Sequence, residues 1–451
     1  YNFIINIMNE VIKIKKGLDI HLAGEAKKEI ESFEPQSCAI KPTDFIGIIP
    51  KLYVNEGDAV QIGSVLFHDK NRENICISSP VSGVVKAVVR GAKRAILEVI
   101  VEADGKNEAI DFGKADPSQL RRNDVIDKML QSGIWSLLRQ RPYATIANPD
   151  DEPKSIVVSM FDTAPLAPDS SYIYREDSEA INAGVEALSK LTKGKVFVNI
   201  RKGEACCVKS SGNVVVTEFE GPHPAGNVGT QINALCPINK GEVVWYCYIQ
   251  DLVTIGKLFL TGRYDSTRVF ALTGSEAKAA KYYRSRVGAD ISKLVEGVVN
   301  ARVISGNVLT GTNITGENHL CYYDTQVTVI PEGNEYRLFG WLAPNFKRFT
   351  STNTMASSLC KKKTYVLDTN RNGDVRPFIM TGKFEKVFPF DIYPMQLIKA
   401  CIIKDIDQME ELGIYEVDAE DFALCEVIDP SKTAIQKIIR EGLELLRKEM
   451  N

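Results

Sequence analysis

VNEGDAVQIGSVLFHDKNRENICISSPVSGVVKAVVRGAKRAILEVIVEAD, residues 54–104, reads as short alternating strands broken by Gly-Asp, Pro and Gly. That punctuation belongs to a compact antiparallel sandwich. Glu56-Gly57-Asp58 and Pro80-Val81-Ser82-Gly83 are turn chemistry, because glycine reaches positive φ and proline fixes φ at the corner it occupies. Val84, Val85, Val88, Val89, Ile96, Leu97, Val99, Ile100 and Val101 then supply the apolar, mostly β-branched positions of a small sheet.

The pattern GD-x-V-x-x-G-x-x-L followed by SP-x-SG-x-V resembles the hammerhead of lipoyl- and biotinyl-type domains, a barrel-sandwich hybrid. A carrier of that type presents a modified lysine at the tip of its central hairpin. Gly63 and Pro80 bracket the hairpin here, which puts its midpoint near Arg72-Glu73-Asn74 and leaves Lys70 on a strand flank. The spacing favours a structural hammerhead over a swinging-arm carrier.

A chain of 451 residues is long enough for roughly three domains, each with its own core. Its 44% hydrophobic and 25% charged residues are ordinary globular values. A net charge of −3 leaves no basic excess to neutralise phosphates, so no nucleic-acid partner is expected. The most apolar stretch, 243–260, is interrupted by Gln250, Asp251 and Lys257, so no membrane span is expected. Tyr1 to Ile7 lack a basic start and a small-residue cleavage site. Met8-Asn9-Glu10 reads as the natural beginning, without a signal peptide. Ten scattered cysteines without C-x-x-C read as reduced cytosolic thiols, and adjacent Cys206-Cys207 is too tight a pair to chelate.

Four regions are expected: a lead-in and barrel-sandwich hybrid over 8–104, a Rossmann-like domain over 105–255, a ubiquitin-like β-grasp domain of the SLBB type over 256–330, and a helical C-terminus over 331–451. In the second, a helix begins at Asp116-Pro117-Ser118, a strand covers 155–160, and a helix over 177–193 stops at Gly194. Strands at 195–200 and 214–219 complete the α/β alternation. In the third, Asp290 or Ser292 caps a short helix between strands at 268–273 and 301–311. Helices at 394–412, 418–427 and 431–450 end the chain, the last with Ser431 as N-cap.

A nucleotide site in such a sheet needs a glycine turn that lets backbone N–H groups approach phosphate. No G-x-G-x-x-G or G-x-x-x-x-G-K-[ST] occurs between residues 105 and 255. Where the loop is expected the chain reads Gly133-Ile134-Trp135-Ser136-Leu137-Leu138-Arg139-Gln140-Arg141-Pro142, so neither dinucleotide nor flavin is expected. The most unusual local sequence is Gly221-Pro222-His223-Pro224-Ala225-Gly226. Two prolines stiffen the chain around one imidazole, which suits either a rigid turn or a loop facing a ligand or partner. No nucleophile stands at triad spacing, and His21, His68 and His319 are isolated, so neither catalytic residues nor a metal site are assigned. Arg139, Arg141 and the run Lys361-Lys362-Lys363 read as solvated surface, the run also suiting an acidic partner or lipid headgroups.

IKIKKGLDIHLAG (12–24), SPVSGVV (79–85), GPHPAGNVGTQI (221–232), LTG (260–262) and PFDIYPMQLIKACIIKDIDQMEELGIYEVDAEDFALCEV (389–427) together resemble the A subunits of bacterial sodium-translocating NADH:quinone oxidoreductases. The resemblance covers nearly the whole chain. It implies a peripheral subunit on the cytoplasmic face of the inner membrane, docked on integral subunits, the B subunit above all. The complex passes electrons from NADH through FAD, FMN, riboflavin and iron–sulfur to ubiquinone or menaquinone. Relatives in respiratory complex I and Rnf complexes carry a flavin-cradling glycine loop and C-terminal cysteine clusters. This chain lacks the loop, and Cys360, Cys401 and Cys425 are too far apart for a cluster ligand run. The expectation is a cofactor-free subunit that helps form the quinone-reduction region, with the Gly221–Gly226 loop and His223 nearest the quinone. A purely structural assembly subunit is the alternative.

Overall fold

The computed structural model describes residues 11–334, 338–340, 342–346, 348–350, 355–359 and 364–450. Met8, Cys360 and the Lys361–Lys363 run lie outside the described residues.

Residues 37–103 close two small sheets on one core. One holds Ser37–Ile40, Ile96–Ala103, Gly83–Arg90 and Ala59–Val60, the other Pro50–Leu52, Val65–Asp69 and Arg72–Ser78. Leu66, Phe67, Ile75, Ile77, Val85, Val99 and Val101 are buried in that core. The hairpin turn falls at Lys70-Asn71, not at Arg72–Asn74, so Lys70 stands exposed at the tip. Two register irregularities in the pairing move the tip. The Asp69 carboxylate then closes the turn, accepting from the Asn71 N–H at 3.2 Å and from Arg72 Nε at 3.0 Å.

The next unit is a seven-stranded sheet in the order Val11–Lys13, Val214–Glu220, Lys195–Arg201, Ser155–Ser159, Val244–Tyr248, Arg139–Arg141, Thr145–Ile146. The first five strands run parallel; Arg139–Arg141 is antiparallel to Val244–Tyr248. Parallel strands are covered on both faces, which explains the unbroken apolar runs Ile156-Val157-Val158 and Val196-Phe197-Val198. Helices Ser178–Ser189 and Ile249–Thr261 cover one face, and Val228–Leu235 the other. Helix 178–189 ends at Lys190; Gly194 is instead a point of close approach, where a Cβ would lie 1.9 Å from the Lys154 carbonyl.

A six-stranded mixed sheet follows, in the order Thr312–Asn313, Ala301–Ser305, Gln326–Pro331, Thr267–Thr273, Lys281–Arg286, Lys27–Ser32. The expected helix at 290–295 is a series of turns. The Asp290 side chain accepts from the Ser292 N–H at 2.9 Å and competes with helix formation. The C-terminal part packs helices Pro394–Ile403, Ile406–Glu411, Ala423–Ile428 and Ile435–Met450 on Phe384, Phe388, Phe390 and Phe422. The expected 394–412 helix divides at Lys404, whose φ is +59°. The last helix starts at Ile435 rather than Ser431, whose hydroxyl donates to the Pro377 carbonyl at 3.0 Å. No described helix is long and apolar enough to cross a membrane.

Candidate functional site at the switch point of the parallel sheet

After Ser155–Ser159 the chain builds outward through Lys195–Arg201 to Val214–Glu220, then returns to place Val244–Tyr248 on the other side of the first strand. The crevice outside the carboxyl ends of Ser155–Ser159 and Val244–Tyr248 is therefore a topological switch point, where doubly wound sheets hold their ligands. A cavity of about 160 Å³ lies there. Ser159, Tyr248 and the first residues of helix 249–261 border it from the sheet, and Asn307, Tyr323 and Asp324 from loops between strands of the mixed sheet. His223, Gly226, Arg139 and Glu420 also line it.

Arg139 is packed among aromatic rings. Its guanidinium carbon lies 4.2 Å from the Tyr323 ring centre, 4.9 Å from Tyr246 and 5.3 Å from Tyr248. Its Nε is buried without a hydrogen-bond partner, and it forms no ion pair among the described residues. Arg141, two positions on, points into a different environment. It bonds Asp421 at 3.0 Å and Glu420 at 2.7 Å with 1% of its side chain exposed. Both arginines were expected on the surface. The strand they form, against Val244–Tyr248, buries Arg141 and leaves Arg139 half-buried.

The Gly221–Gly226 loop is clamped from both ends. A Cβ on Gly221 would lie 2.3 Å from the Ile14 carbonyl, and one on Gly226 would lie 2.6 Å from the Thr163 nitrogen, so only glycine fits either place. The His223 N–H donates to Asp19 Oδ1 at 2.9 Å, and its carbonyl accepts from the Leu18 N–H at 2.9 Å. Its Nδ1 meets Thr163 Oγ1 at 3.1 Å, and that oxygen also accepts the Gly226 N–H at 2.9 Å. Burial lowers the His223 pKa, against the opposing fields of Asp162 and Asp19, so the imidazole is neutral at pH 7. Burial likewise raises the Asp324 carboxyl, which accepts the Ser305 hydroxyl at 2.6 Å.

Of the five loop residues singled out in the sequence, His223 and Gly226 reach this cavity. Gly221 faces a neighbouring depression beside Asp19, and Pro222 and Pro224 line neither. Sequence reasoning missed Arg139, Tyr248, Tyr323 and Asp324. The alternation Tyr246-x-Tyr248 was a signal that one strand face presents two rings, but nothing local showed that Arg139 pairs with it.

The loop that follows strand Ser155–Ser159, where a phosphate-binding turn belongs, is 160–169, Met-Phe-Asp-Thr-Ala-Pro-Leu-Ala-Pro-Asp. It contains no glycine. The stretch 133–142, where the sequence placed that loop, instead forms a buried turn of 3-10 helix, Ile134–Leu137, and the strand Arg139–Arg141, paired on both sides. A cavity of about 160 Å³ behind such a loop does not fit a dinucleotide or a flavin. Among the described residues no group of three or more His, Cys, Asp or Glu is placed to hold a metal ion.

The parts define a multidomain α/β protein in which a mixed β-sheet roofs the crevice of a doubly wound sheet. Residues 12–104 match the NqrA N-terminal barrel-sandwich hybrid domain, 120–264 the NqrA second alpha/beta domain, and 269–316 the NQRA C-terminal domain. Over 447 residues the chain is 38% identical to the A subunit of the Na(+)-translocating NADH-quinone reductase of Vibrio atlanticus, covering 97% of this chain and all of that one. The same subunits of Hahella chejuensis and Neisseria meningitidis serogroup B are each 37% identical over the same span. An NAD+-reducing nickel–iron hydrogenase in its H2-reduced state overlays at 12% identity and a TM-score of 0.39, covering 74% of this chain and 61% of that one, which carries no argument. The chain belongs to the NqrA family, the A subunits of the Na(+)-translocating NADH-quinone reductases.

Proposed function

We propose that this chain serves its complex as a peripheral subunit with no redox cofactor of its own. It docks on the cytoplasmic side of the bacterial inner membrane against the integral subunits, the B subunit foremost. There it helps form the region where ubiquinone or menaquinone is reduced. Electrons reach the quinone from NADH through the flavins and iron–sulfur centre of the other subunits.

The small volume of the switch-point crevice carries this reading. Ordinary ligand pockets begin at about 300 Å³, and the volume left here is about 160 Å³. That volume favours a single ring entering from one side over a nucleotide. A quinone carbonyl needs hydrogen-bond donors, and Arg139, His223 and Tyr248 are among those in the lining. Thr163 Oγ1 already accepts from Gly226, so its own hydrogen is free to bond His223 Nδ1 and leave the imidazole proton on Nε2.

The assembly reading draws on the same loop: the His223 N–H, its carbonyl and its Nδ1 are all spent on holding chain segments together. Titration of the purified chain with quinone, followed by Trp and Tyr fluorescence, separates the two. Saturable binding that weakens about tenfold in His223→Ala, with a matching fall in quinone-reductase turnover of the assembled complex, supports the quinone role. No binding by the chain and unchanged turnover leave a purely structural role in assembly.

A further inference from the structure

The hairpin between strands Gly83–Arg90 and Ile96–Ala103 turns on Lys93-Arg94. The Ala95 N–H donates to the Ala92 carbonyl at 3.1 Å, and both central residues are left-handed, with φ of +54° and +60°. Asn-Gly is the usual pair where a tight hairpin turn needs two positive φ values. Two long cationic side chains there carry backbone strain that glycine would avoid, and strain of this kind gathers at functional surfaces. Arg90 lies at the foot of the turn, donating from Nη1 to the Arg94 carbonyl at 3.3 Å. No acid occurs between Glu73 and Glu98. Lys41, Lys51, Arg72 and Lys86 of the same unit each meet a carboxylate. Arg90, Lys93 and Arg94 are exposed and form no ion pair among the described residues.

Beside this turn lies a groove of about 740 Å³, within the range of ordinary ligand sites. Phe45, Ile46, Ile48 and Ile49, from the loop before strand Pro50–Leu52, line it together with Ile96, and Ile49 is 49% exposed. Arg90 and Arg94 belong to the same lining, as do Arg440 and Glu444 of the last helix. Arg440 is already committed to Asp418 and to the Tyr143 carbonyl. The charge left to be answered is therefore that of the hairpin, with Glu444 opposing. The groove shares no lining residue with the switch-point cavity.

Apolar floor and cationic rim together restrict the occupant. A flat bilayer surface reaches the exposed turn but not the recessed Phe45 and Ile48. A single acyl chain in so open a groove keeps one side in water. A polypeptide segment with aliphatic side chains on one face and carboxylates at its margin fills the floor and pairs with the arginines, whose planar forks suit carboxylates.

We infer that this groove between the hammerhead and the last helix seats an acidic, aliphatic segment of an integral subunit. The inference rests on the docking reading above and adds to it the surface used and the chemistry of the segment it holds.

Rebinding of the purified full chain to the detergent-solubilised complex stripped of it tests this. Arg90→Glu/Arg94→Glu should weaken rebinding about tenfold, Arg90→Lys/Arg94→Lys much less, and raised salt should weaken the unaltered chain. Ile49→Asp should also weaken it, through the apolar floor. The substituted residues are exposed, and circular dichroism checks that each variant is folded. If a variant does not fold, acetylation of Lys93 by a soluble succinimidyl ester decides on the unaltered chain. Lys93 should react in the isolated chain and be protected in the complex, and equal reactivity in both overturns the inference. Rebinding by the variants as tight as by the unaltered chain overturns the groove and leaves the docking reading standing. No rebinding by the unaltered chain overturns both. Binding to phosphatidylglycerol vesicles that Arg90→Glu/Arg94→Glu abolishes, with rebinding to the complex intact, makes the surface a lipid contact and also overturns it.

Discussion

Arg141 and Asp421 lie 280 positions apart and meet in a 3.0 Å ion pair, with side-chain exposures of 1% and 0%. The pair joins the antiparallel strand Arg139–Arg141 of the seven-stranded sheet to the C-terminal helical part. Glu420 at 2.7 Å takes the second face of the guanidinium, and Arg440 bonds neighbouring Asp418. Burial raises the Asp421 carboxyl to about 7, with Arg141 opposing. Removing one partner of such a pair strands the other, at a cost of about 3–5 kcal/mol. Arg141→Met should therefore lower the melting temperature and expose 394–450 to protease, with Arg141→Lys only a partial rescue because it lacks the fork. The loss should be smaller near pH 5.5 than near pH 8, since acid neutralises the stranded Asp421 carboxylate. Equal melting curves at both pH values would show that the pair contributes nothing.

Gly229 faces the same carboxylate. A Cβ at this position would lie 2.3 Å from Asp421 Oδ1, inside the first turn of helix 228–235. Elsewhere on a helix Gly→Ala is mildly stabilising, but here the overpacking term should win by about 1–3 kcal/mol. Denaturant unfolding of Gly229→Ala measures it, and the effect should shrink in an Asp421→Ala background.

Asp44 accepts the Tyr322 N–H at 2.8 Å, and burial raises its carboxyl to about 7, with Asp324 adding and Lys41 opposing. Unfolded, it titrates near 3.9. Between those values the folded chain binds a proton that the unfolded chain releases. This group's contribution therefore falls as pH rises, by at most ~1.4 kcal/mol per unit. Asp44→Asn keeps an acceptor for Tyr322 and removes the titration. Its melting temperature should gain on the parent chain as pH goes from about 5 to about 8; a constant difference would contradict the raised pKa.

Lys70 stands exposed at the tip of the hammerhead hairpin, where a carrier lysine would stand. Its neighbour Asp69 is committed to the turn itself, bonded by the N–H groups of Ile49 and Asn71 and by Arg72. The hammerhead is expected to be structural, so the intact mass should match the bare sequence. An addition of ~190 Da for lipoyl or ~230 Da for biotinyl, lost in Lys70→Arg, would reverse that conclusion.

The legible parts of the chain are those that short-range rules decide. Residues 54–104 announce their strands because turn residues and apolar alternation act over two to five positions, and strands at 155–159, 195–201 and 214–220 follow from apolar runs of the right length. Helix ends are less legible: Ser431 and Gly194 have cap chemistry, yet tertiary hydrogen bonds and close approach claim them instead. The candidate site divides in the same way. Its stiff His223 loop is visible because proline and glycine constrain their own neighbours. Arg139 among three tyrosines and Arg141 on Asp421 look like surface residues in the sequence, because burial and partner are supplied by chain 100 to 280 positions away. Local sequence decides the order of domains, the missing phosphate loop and the family. Which charges leave water is settled by the folded chain alone, because desolvation depends on what covers a side chain and not on its neighbours along the backbone.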